Sequence, residues 1–98
     1  MDFRVIVSPS ARKDLKELVQ YIARDNPGAA EKMGMKILKD INRISEFPEM
    51  GRMVPEFQNP DLKEIIVYPF RVIYRVNRGS GYPEVVRIWK GSKGDPRI

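Results

Sequence analysis

The chain has 98 residues, 42% of them hydrophobic and 32% charged, with a formal net charge of +5 and neither cysteine nor histidine. This size suits a single domain over residues 1–98, whose core needs no disulfide or metal to support it. The missing residue types exclude thiol catalysis, disulfides and the commonest transition-metal sites, so we expect no metal and no cofactor. Any catalysis would have to use carboxylates, lysines, arginines or tyrosines.

The N-terminal segment has a short apolar stretch, Phe3 to Val7, preceded by an acidic residue, which is unlike a secretory signal. Its β-branched residues predict a strand. No run in the sequence approaches the roughly 20 apolar residues that a membrane-spanning helix needs. We therefore expect a cytoplasmic protein without a membrane partner.

Two amphipathic helices are predicted next, forming an αα-hairpin. Ser8 is a good N-cap and Pro9 suits the first helical position, while Asn26-Pro27 ends the first helix near Asp25 and opens the second. The apolar stripe of the first helix consists of Ala11, Leu15, Leu18, Val19 and Ile22. The stripe of the second consists of Ala30, Met33, Ile37, Ile41 and Ile44, widened by Ala29, Leu38 and Phe47, and Pro48 ends that helix.

A loop from Pro48 to Asp61 leads into three predicted strands and a tail. The strands are Leu62 to Val67, Phe70 to Val76 and a segment near Glu84 to Lys90, and the tail is Gly91 to Ile98. The element order predicts an α+β fold with an N-terminal strand, the helix hairpin, and a mostly antiparallel sheet covered on one face by the helices.

All of the excess positive charge lies in residues 62–98, where eight cations oppose three carboxylates, giving 8 − 3 = +5. Alternation along the middle strand directs Phe70, Val72, Tyr74 and Val76 to the core. It directs Arg71, Ile73 and Arg75 to the other face, which predicts a basic sheet face that no helix covers. The alternative for each arginine is a solvated side chain paired with Glu64 or Glu84. The candidate target- or anion-binding residues are Lys63, Arg71, Arg75, Arg87, Lys90, Lys93 and Arg97.

Several segments together resemble the ParE/RelE superfamily of bacterial type II toxins, over nearly the whole chain. They are Ser8-Pro9-Ser10-Ala11, Asp14-Leu15, Tyr21-Ile22-Ala23, Asp25-Asn26-Pro27, Ala29-Ala30, Phe47-Pro48, Gly51-Arg52, Val54-Pro55-Glu56, Lys63-Glu64-Ile65 and Tyr68 to Val76. Their order and spacing favour the ParE branch. The resemblance implies a RelE/ParE-like fold and a toxin that a cognate antitoxin neutralises.

The end of the chain departs from the family pattern. Members commonly carry tryptophan-histidine-glycine-x-arginine after the last strand, whereas this chain has Trp89-Lys90-Gly91-Ser92-Lys93. The two lysines keep the positive charge. They do not supply an imidazole that titrates near neutral pH.

The resemblance implies two mechanisms. RelE-type toxins cleave ribosome-bound mRNA, for which Arg71, Arg75, Lys90 and Lys93 would supply cations. We expect Glu64 to pair with a cation and Tyr74 to face the core, so no evident acid-base pair remains, although a lysine of lowered pKa could act. ParE-type toxins instead block DNA gyrase by binding it. We therefore favour a non-enzymatic gyrase inhibitor, with an mRNA endoribonuclease or a non-catalytic nucleic-acid-binding module as alternatives.

A small antitoxin is the expected partner, with a flexible acidic and apolar segment that wraps the toxin. Methionines suit adaptable contacts of this kind. Met35, Met50 and Met53 are candidates, and Met33 is more readily explained as a core residue.

Overall fold

The computed structural model describes residues 4–79 and 81–98. Its elements are β1 (Ile6–Val7), α1 (Pro9–Ala23), α2 (Pro27–Glu46), β2 (Arg52–Met53), β3 (Leu62–Val67), β4 (Phe70–Arg75) and β5 (Glu84–Lys90), followed by a 3-10 turn, Gly91–Lys93. The α+β class and the order of the predicted elements are confirmed. The predicted start of the first strand, Phe3, lies outside the described residues. Strand β2 was not predicted, because two residues inside a loop are too short to show a pattern.

Both helices begin at the predicted prolines, Pro9 and Pro27, and each has a side-chain cap, of which only Ser8 was predicted. The Ser8 hydroxyl accepts a hydrogen bond from the Ala11 N–H at 3.1 Å, and the Asn26 side-chain oxygen accepts one from the Ala29 N–H at 3.0 Å. Each cap satisfies one of the donors that a helix start leaves without a partner. Helix α1 ends two residues before the expected position. Over residues 4–79 and 81–98, no helix combines the length and the apolar character required to cross a membrane.

The five strands form one sheet in the order β1-β5-β4-β3-β2, in which β1 runs parallel to β5 and all other neighbours are antiparallel. The pairing of β4 with β5 shifts between Ile73 and Tyr74, which lie opposite Arg87 and Val85 respectively. The intervening residue, Val86, has no partner across the ladder and forms a bulge. Because of this extra residue, Val85 and Ile88 both join the helix-side cluster although they are three positions apart, and Val86 and Trp89 both join the cluster on the other face.

The main core lies between the helix hairpin and one face of the sheet. Its buried members include Ala11, Leu18, Ile37, Ile41, Ile44, Val67, Phe70, Val72, Tyr74, Val76, Val85 and Ile88. The predicted core face of β4 is confirmed, and Met33 packs against this cluster from its edge. The expected widening of the α2 stripe is wrong for Leu38 and Phe47, which are 45% and 56% exposed. Leu38 lies about 100° around the helix from Ile37, outside the arc that α1 and the sheet can cover.

The other face of the sheet is not open, contrary to expectation. Val54, from the loop between α2 and β3, covers it and forms a second buried cluster with Leu62, Ile73, Val86 and Trp89. Ile73, which was predicted to lie on an open face, is 0% exposed. Within residues 4–79 and 81–98, a loop and not an α-helix covers this face, so the prediction that no helix covers it is confirmed.

The loop is fixed to the sheet by a buried tyrosine. The Tyr74 hydroxyl donates to the Pro48 carbonyl at 2.7 Å and accepts from the Gly51 N–H at 2.9 Å, and burial raises its pKa. A Cβ at position 51 would lie 2.7 Å from both the Glu64 carbonyl oxygen and the Tyr74 hydroxyl oxygen. Glycine is therefore needed for the loop to approach the sheet this closely.

Candidate functional site

Four side chains of alternating charge cross the loop-covered face of the sheet, and we call them the ion-pair row. Arg52 donates to one oxygen of Glu64 at 2.7 Å, and Nε of Arg71 donates to the other at 2.6 Å. The two terminal nitrogens of Arg71 donate to Glu56 at 2.9 and 2.7 Å. Each of the three nitrogens of Arg71 therefore has a carboxylate partner.

Burial and charge make the ion-pair row a structural unit. The Glu64 side chain is 0% exposed and that of Arg71 only 12%. The hydrogen bonds between Arg71 and Glu56 raise the pKa of the guanidinium and lower that of the carboxyl. The prediction that Glu64 pairs with a neighbouring cation is confirmed. Arg52 pairs with Glu64 of β3, and Glu56 pairs with Arg71 of β4.

Lys63 and Arg75 lie apart from this row. Lys63 points to the opposite face of the sheet, where its ammonium lies 3.6 Å from Glu49. Arg75 is on the same face as Arg71 but at the far end of β4, in register with Leu62 and Glu84, and it forms no ion pair within the described ranges. The predicted candidate residues thus do not form one continuous basic patch.

Arg87 ties β5 to helix α1 and to the tail. Two of its nitrogens donate to the carboxylate of Asp14 at 2.8 and 2.9 Å, and Nη1 donates to the Arg97 carbonyl at 2.8 Å. The guanidinium lies 5.0 Å from the centre of the Trp89 ring, and its bonds to Asp14 raise its pKa. The Ile88 N–H also donates to Asp14, at 2.9 Å. Arg87 is a neutralised structural residue with few free donors.

The two lysines that replace the family's histidine and arginine lie over aromatic rings. The Lys90 ammonium is 5.7 Å from the centre of the Tyr21 ring, and that of Lys93 is 5.5 Å from the Trp89 ring. Both lysines are exposed, as is Arg97. Among the residues that the structure describes, none of these three cations has a carboxylate partner. Contacts with rings at exposed sites are weak, so the ammonium groups are available to a ligand.

Two concavities with shared lining residues lie at this end of β5, and together we call them the β5-end groove. The first, about 320 Å³, lies between α1 and β5 over an apolar floor of Leu18, Phe70 and Ile88. The second, about 820 Å³, lies beside the tail and is bordered by Asp95 and Arg97. The residues common to both are Arg87, Trp89 and Lys93. Of the predicted candidates, the structure brings together Arg87, Lys90, Lys93 and Arg97.

Sequence reasoning missed that cations of residues 62–98 would pair with acids of residues 1–61. Asp14, Glu49, Glu56 and Asp61 all serve this purpose, and Arg78 pairs with both Glu49 and Asp61. One signal was available for Asp14. It lies three residues after Ala11 and four before Leu18, on the buried face of α1, where a carboxylate requires a partner.

The helix hairpin on a mixed sheet and the residue pattern across the chain agree with the class of small toxins of type II toxin-antitoxin systems. Residues 5–94 match the family model described as the ParE toxin of type II toxin-antitoxin system, parDE, and the chain belongs to this family. Membership confirms the predicted ParE/RelE superfamily and implies a cognate antitoxin as partner.

Relatives agree with this assignment. The chain is 31% identical over 96 residues to a protein named Toxin RelE1 from Caulobacter vibrioides, covering 93% of this chain and 96% of that one. It is 31% identical over 85 residues to Toxin RelE2 of the same organism, covering 87% and 91%. A solved structure titled as a chromosomal ParDE system from P. aeruginosa matches with a TM-score of 0.68 at 19% identity, covering 90% of this chain and 95% of that one, which shows a shared fold.

Proposed function

We propose that this chain inhibits bacterial growth by binding and blocking DNA gyrase in the cytoplasm, without chemistry of its own, until its antitoxin neutralises it. The observation that carries the proposal is the neutralisation of Arg71. That residue is the central cation of the predicted basic face, and Glu56 and Glu64 occupy all three of its nitrogens.

RNA cleavage by attack of a 2′-hydroxyl needs a base, an acid and cations that stabilise the charge developing on the phosphate. A phosphate that approached Arg71 would meet the Glu56 carboxylate first, since that group covers the outer edge of the guanidinium. Glu64 is buried between two arginines, and the Tyr74 hydroxyl is held by the loop. The acid-base groups nearest to Arg71 are therefore occupied, which supports inhibition by binding.

The proposal is tested by two assays on one preparation of purified protein. We expect the protein to inhibit supercoiling of relaxed plasmid by gyrase and to leave mRNA on translating ribosomes intact. Arg71→Gln, which disrupts the ion-pair row, is compared with the wild type in both assays after its stability has been checked. The proposal fails if the wild-type protein cleaves the mRNA and leaves gyrase activity unchanged, and if a change of Lys90 or Arg71 abolishes that cleavage.

A ribosome-dependent mRNA endoribonuclease is the second candidate. It is favoured by the names of the two relatives, Toxin RelE1 and Toxin RelE2, and by the carboxylate-free Lys90 and Lys93. Induction of the protein in bacteria distinguishes the two candidate functions by which effect on the cell appears first. Loss of negative supercoiling before any fall in protein synthesis supports gyrase, and prompt translational arrest with intact supercoiling supports the ribonuclease.

A further inference from the structure

We infer that the outer face of α2 binds an acidic amphipathic α-helix of the protein that this toxin inhibits. The outer face consists of the exposed residues Lys32, Met35, Lys36, Leu38, Lys39 and Asn42. The inference rests on the proposed function, because it takes the target to be a protein, DNA gyrase. It adds the surface through which the toxin contacts that target and the kind of element that this surface fits.

An open concavity on the outer face has the arrangement that receives a side chain of another helix. Its volume is about 640 Å³. Four of its five lining residues follow the spacing i, i+3, i+4 and i+7, and they are Met35, Leu38, Lys39 and Asn42. When two helices pack in the manner of a coiled coil, a side chain of one inserts into a hole between four such residues of the other. The shape of this surface therefore favours an α-helix as its occupant.

Exposed apolar side chains on this face favour an apolar side chain on the partner helix. Met35 is 64% exposed and Leu38 is 45% exposed. On the other side of the same helix, Ile37 and Ile41 are buried in the main core. Helix α2 thus buries one apolar stripe within the chain and presents a second, smaller one to solvent. A partner that covered Met35 and Leu38 would remove apolar surface from water, and the flexible Met35 could adapt to its shape.

The charge of the outer face favours an acidic helix. Lys32, Lys36 and Lys39 follow one another at helical spacing and form a stripe beside the apolar residues. All three are exposed, and no ion pair joins them to residues within the described ranges. Arg43 continues the stripe, but its guanidinium lies 3.6 Å from Asp40. Carboxylates that flank the apolar stripe of a partner helix would meet the three ammonium groups, as oppositely charged flanking residues do in coiled coils.

The same features argue against two other occupants. A second copy of this chain would bring its own Lys36 and Lys39 against the lysines of the first, so that like charges would face each other. The phosphates of DNA would pair with the lysines, but they would leave the apolar concavity unfilled. They would also approach Glu31 and Glu46, two exposed carboxylates that lie one helical turn beyond either end of the concavity. A protein helix with acidic flanks matches both the charge and the shape.

The first test measures how much purified protein is needed to inhibit plasmid supercoiling by gyrase. The double reversal Lys36→Glu with Lys39→Glu should raise the half-inhibitory concentration by at least about tenfold, because it replaces two attractions with repulsions. The matched control is Lys13→Glu with Lys16→Glu, which makes the same charge change at the same spacing on exposed side chains of α1. The control should change that concentration by less than about threefold, the effect of long-range charge alone. Equal losses in the two variants would overturn the inference.

The second test locates the contact without changing any charge. The chain has no cysteine, so one introduced thiol reports on one position. Leu38→Cys places a thiol at the concavity, and the control, Tyr68→Cys, replaces a side chain that is 84% exposed between β3 and β4. Saturating gyrase should slow alkylation of the first thiol by at least about fivefold, because the centre of an interface excludes solvent, and should leave the second unchanged. Unaltered alkylation of Leu38→Cys in the presence of gyrase would place the contact elsewhere.

The outcomes distinguish failure of this inference from failure of the proposed function. Wild-type protein that leaves gyrase fully active contradicts both. Wild-type protein and the Lys36→Glu, Lys39→Glu variant that inhibit gyrase equally well overturn only the inference. If that variant inhibits gyrase normally but no longer binds the antitoxin, the outer face belongs to the antitoxin and the inference is wrong. Normal inhibition combined with lost binding of a labelled DNA duplex would overturn it in favour of a DNA-binding surface.

Discussion

The ion-pair row and the β5-end groove use positive charge in opposite ways. In the row, Arg71 is largely buried and is held by two carboxylates, so its charge fixes the loop to the sheet. In the groove, Lys90 and Lys93 are exposed, and among the described residues their ammonium groups contact aromatic rings and no carboxylate. The contrast shows that the net charge of a segment does not indicate which of its charges a ligand can reach.

The strongest test of the contrast is Glu64→Gln. This change leaves two arginines around a neutral amide at a site that is 0% exposed, and we expect a loss of about 3 kcal/mol in the free energy of unfolding. Glu84→Gln is the control, because Glu84 is half-buried and no ion pair joins it to the described residues. Urea denaturation measures both. A loss below about 0.5 kcal/mol for Glu64→Gln would mean that the row is not structural.

Gly51→Ala should be the next largest effect. The new methyl group would lie 2.7 Å from a backbone oxygen of β3, and overpacking of this kind costs about 2 kcal/mol. The control is Gly34→Ala in α2, where a Cβ would meet Val19 at an ordinary 3.5 Å and should stabilise the helix by up to about 1 kcal/mol. Thermal unfolding distinguishes the opposite signs. If both changes destabilise equally, the close loop contact is not responsible.

Tyr74→Phe tests the tyrosine that fixes the same loop. The Gly51 N–H and the Pro48 carbonyl both lose their side-chain partner, and we expect a loss of about 1.5 kcal/mol in the free energy of unfolding. Faster amide hydrogen exchange confined to residues 48–61 should accompany this loss. Unchanged exchange there would contradict the assigned anchoring role.

The pH dependence of stability should show a contribution from Glu56. Its pKa is lower in the folded chain than in the unfolded one, chiefly because Arg71 donates to its carboxylate. The stabilisation is therefore present above the unfolded pKa of about 4.3 and is lost as the pH falls through the folded value. Between pH 7 and pH 3, the melting temperature of Glu56→Gln should fall less steeply than that of the wild type. Parallel curves would contradict this.

The smallest expected effect on stability lies in the groove. Lys90→Ala and Lys93→Ala each remove a contact between an exposed ammonium and a ring, so the free energy of unfolding should change by less than about 1 kcal/mol. Differential scanning calorimetry can measure this. A loss comparable to that of Glu64→Gln would remove the distinction between the two regions.

Much of the fold could be predicted because its signals are local. The cap at Ser8, the prolines that open both helices, the apolar stripes and the alternation along β4 each depend on neighbouring residues, and the structure confirms them. Strand β2 and the cover provided by Val54 could not be predicted. They depend on where a 14-residue loop returns to the sheet, which neither periodicity nor composition specifies.

The candidate site was less predictable than the fold. The alternation correctly separated Arg71 from the helix-side core, but it gave no information about Glu56, which is 15 residues away along the chain. The lysines at positions 90 and 93 stood out because they depart from the family pattern. Trp89 is only four residues before Lys93, but Tyr21 comes from α1, and only the packing of α1 against β5 brings it to Lys90.

The sequence by itself determined the fold class, the toxin family and the location of the excess positive charge along the chain. The tertiary structure alone decided which charges stay available, since it brought carboxylates of residues 1–61 to cations of residues 62–98. These carboxylates are Asp14, Glu49, Glu56 and Asp61. The physical reason is that ion pairing depends on distance in space and on burial, and chain order determines neither between elements so far apart.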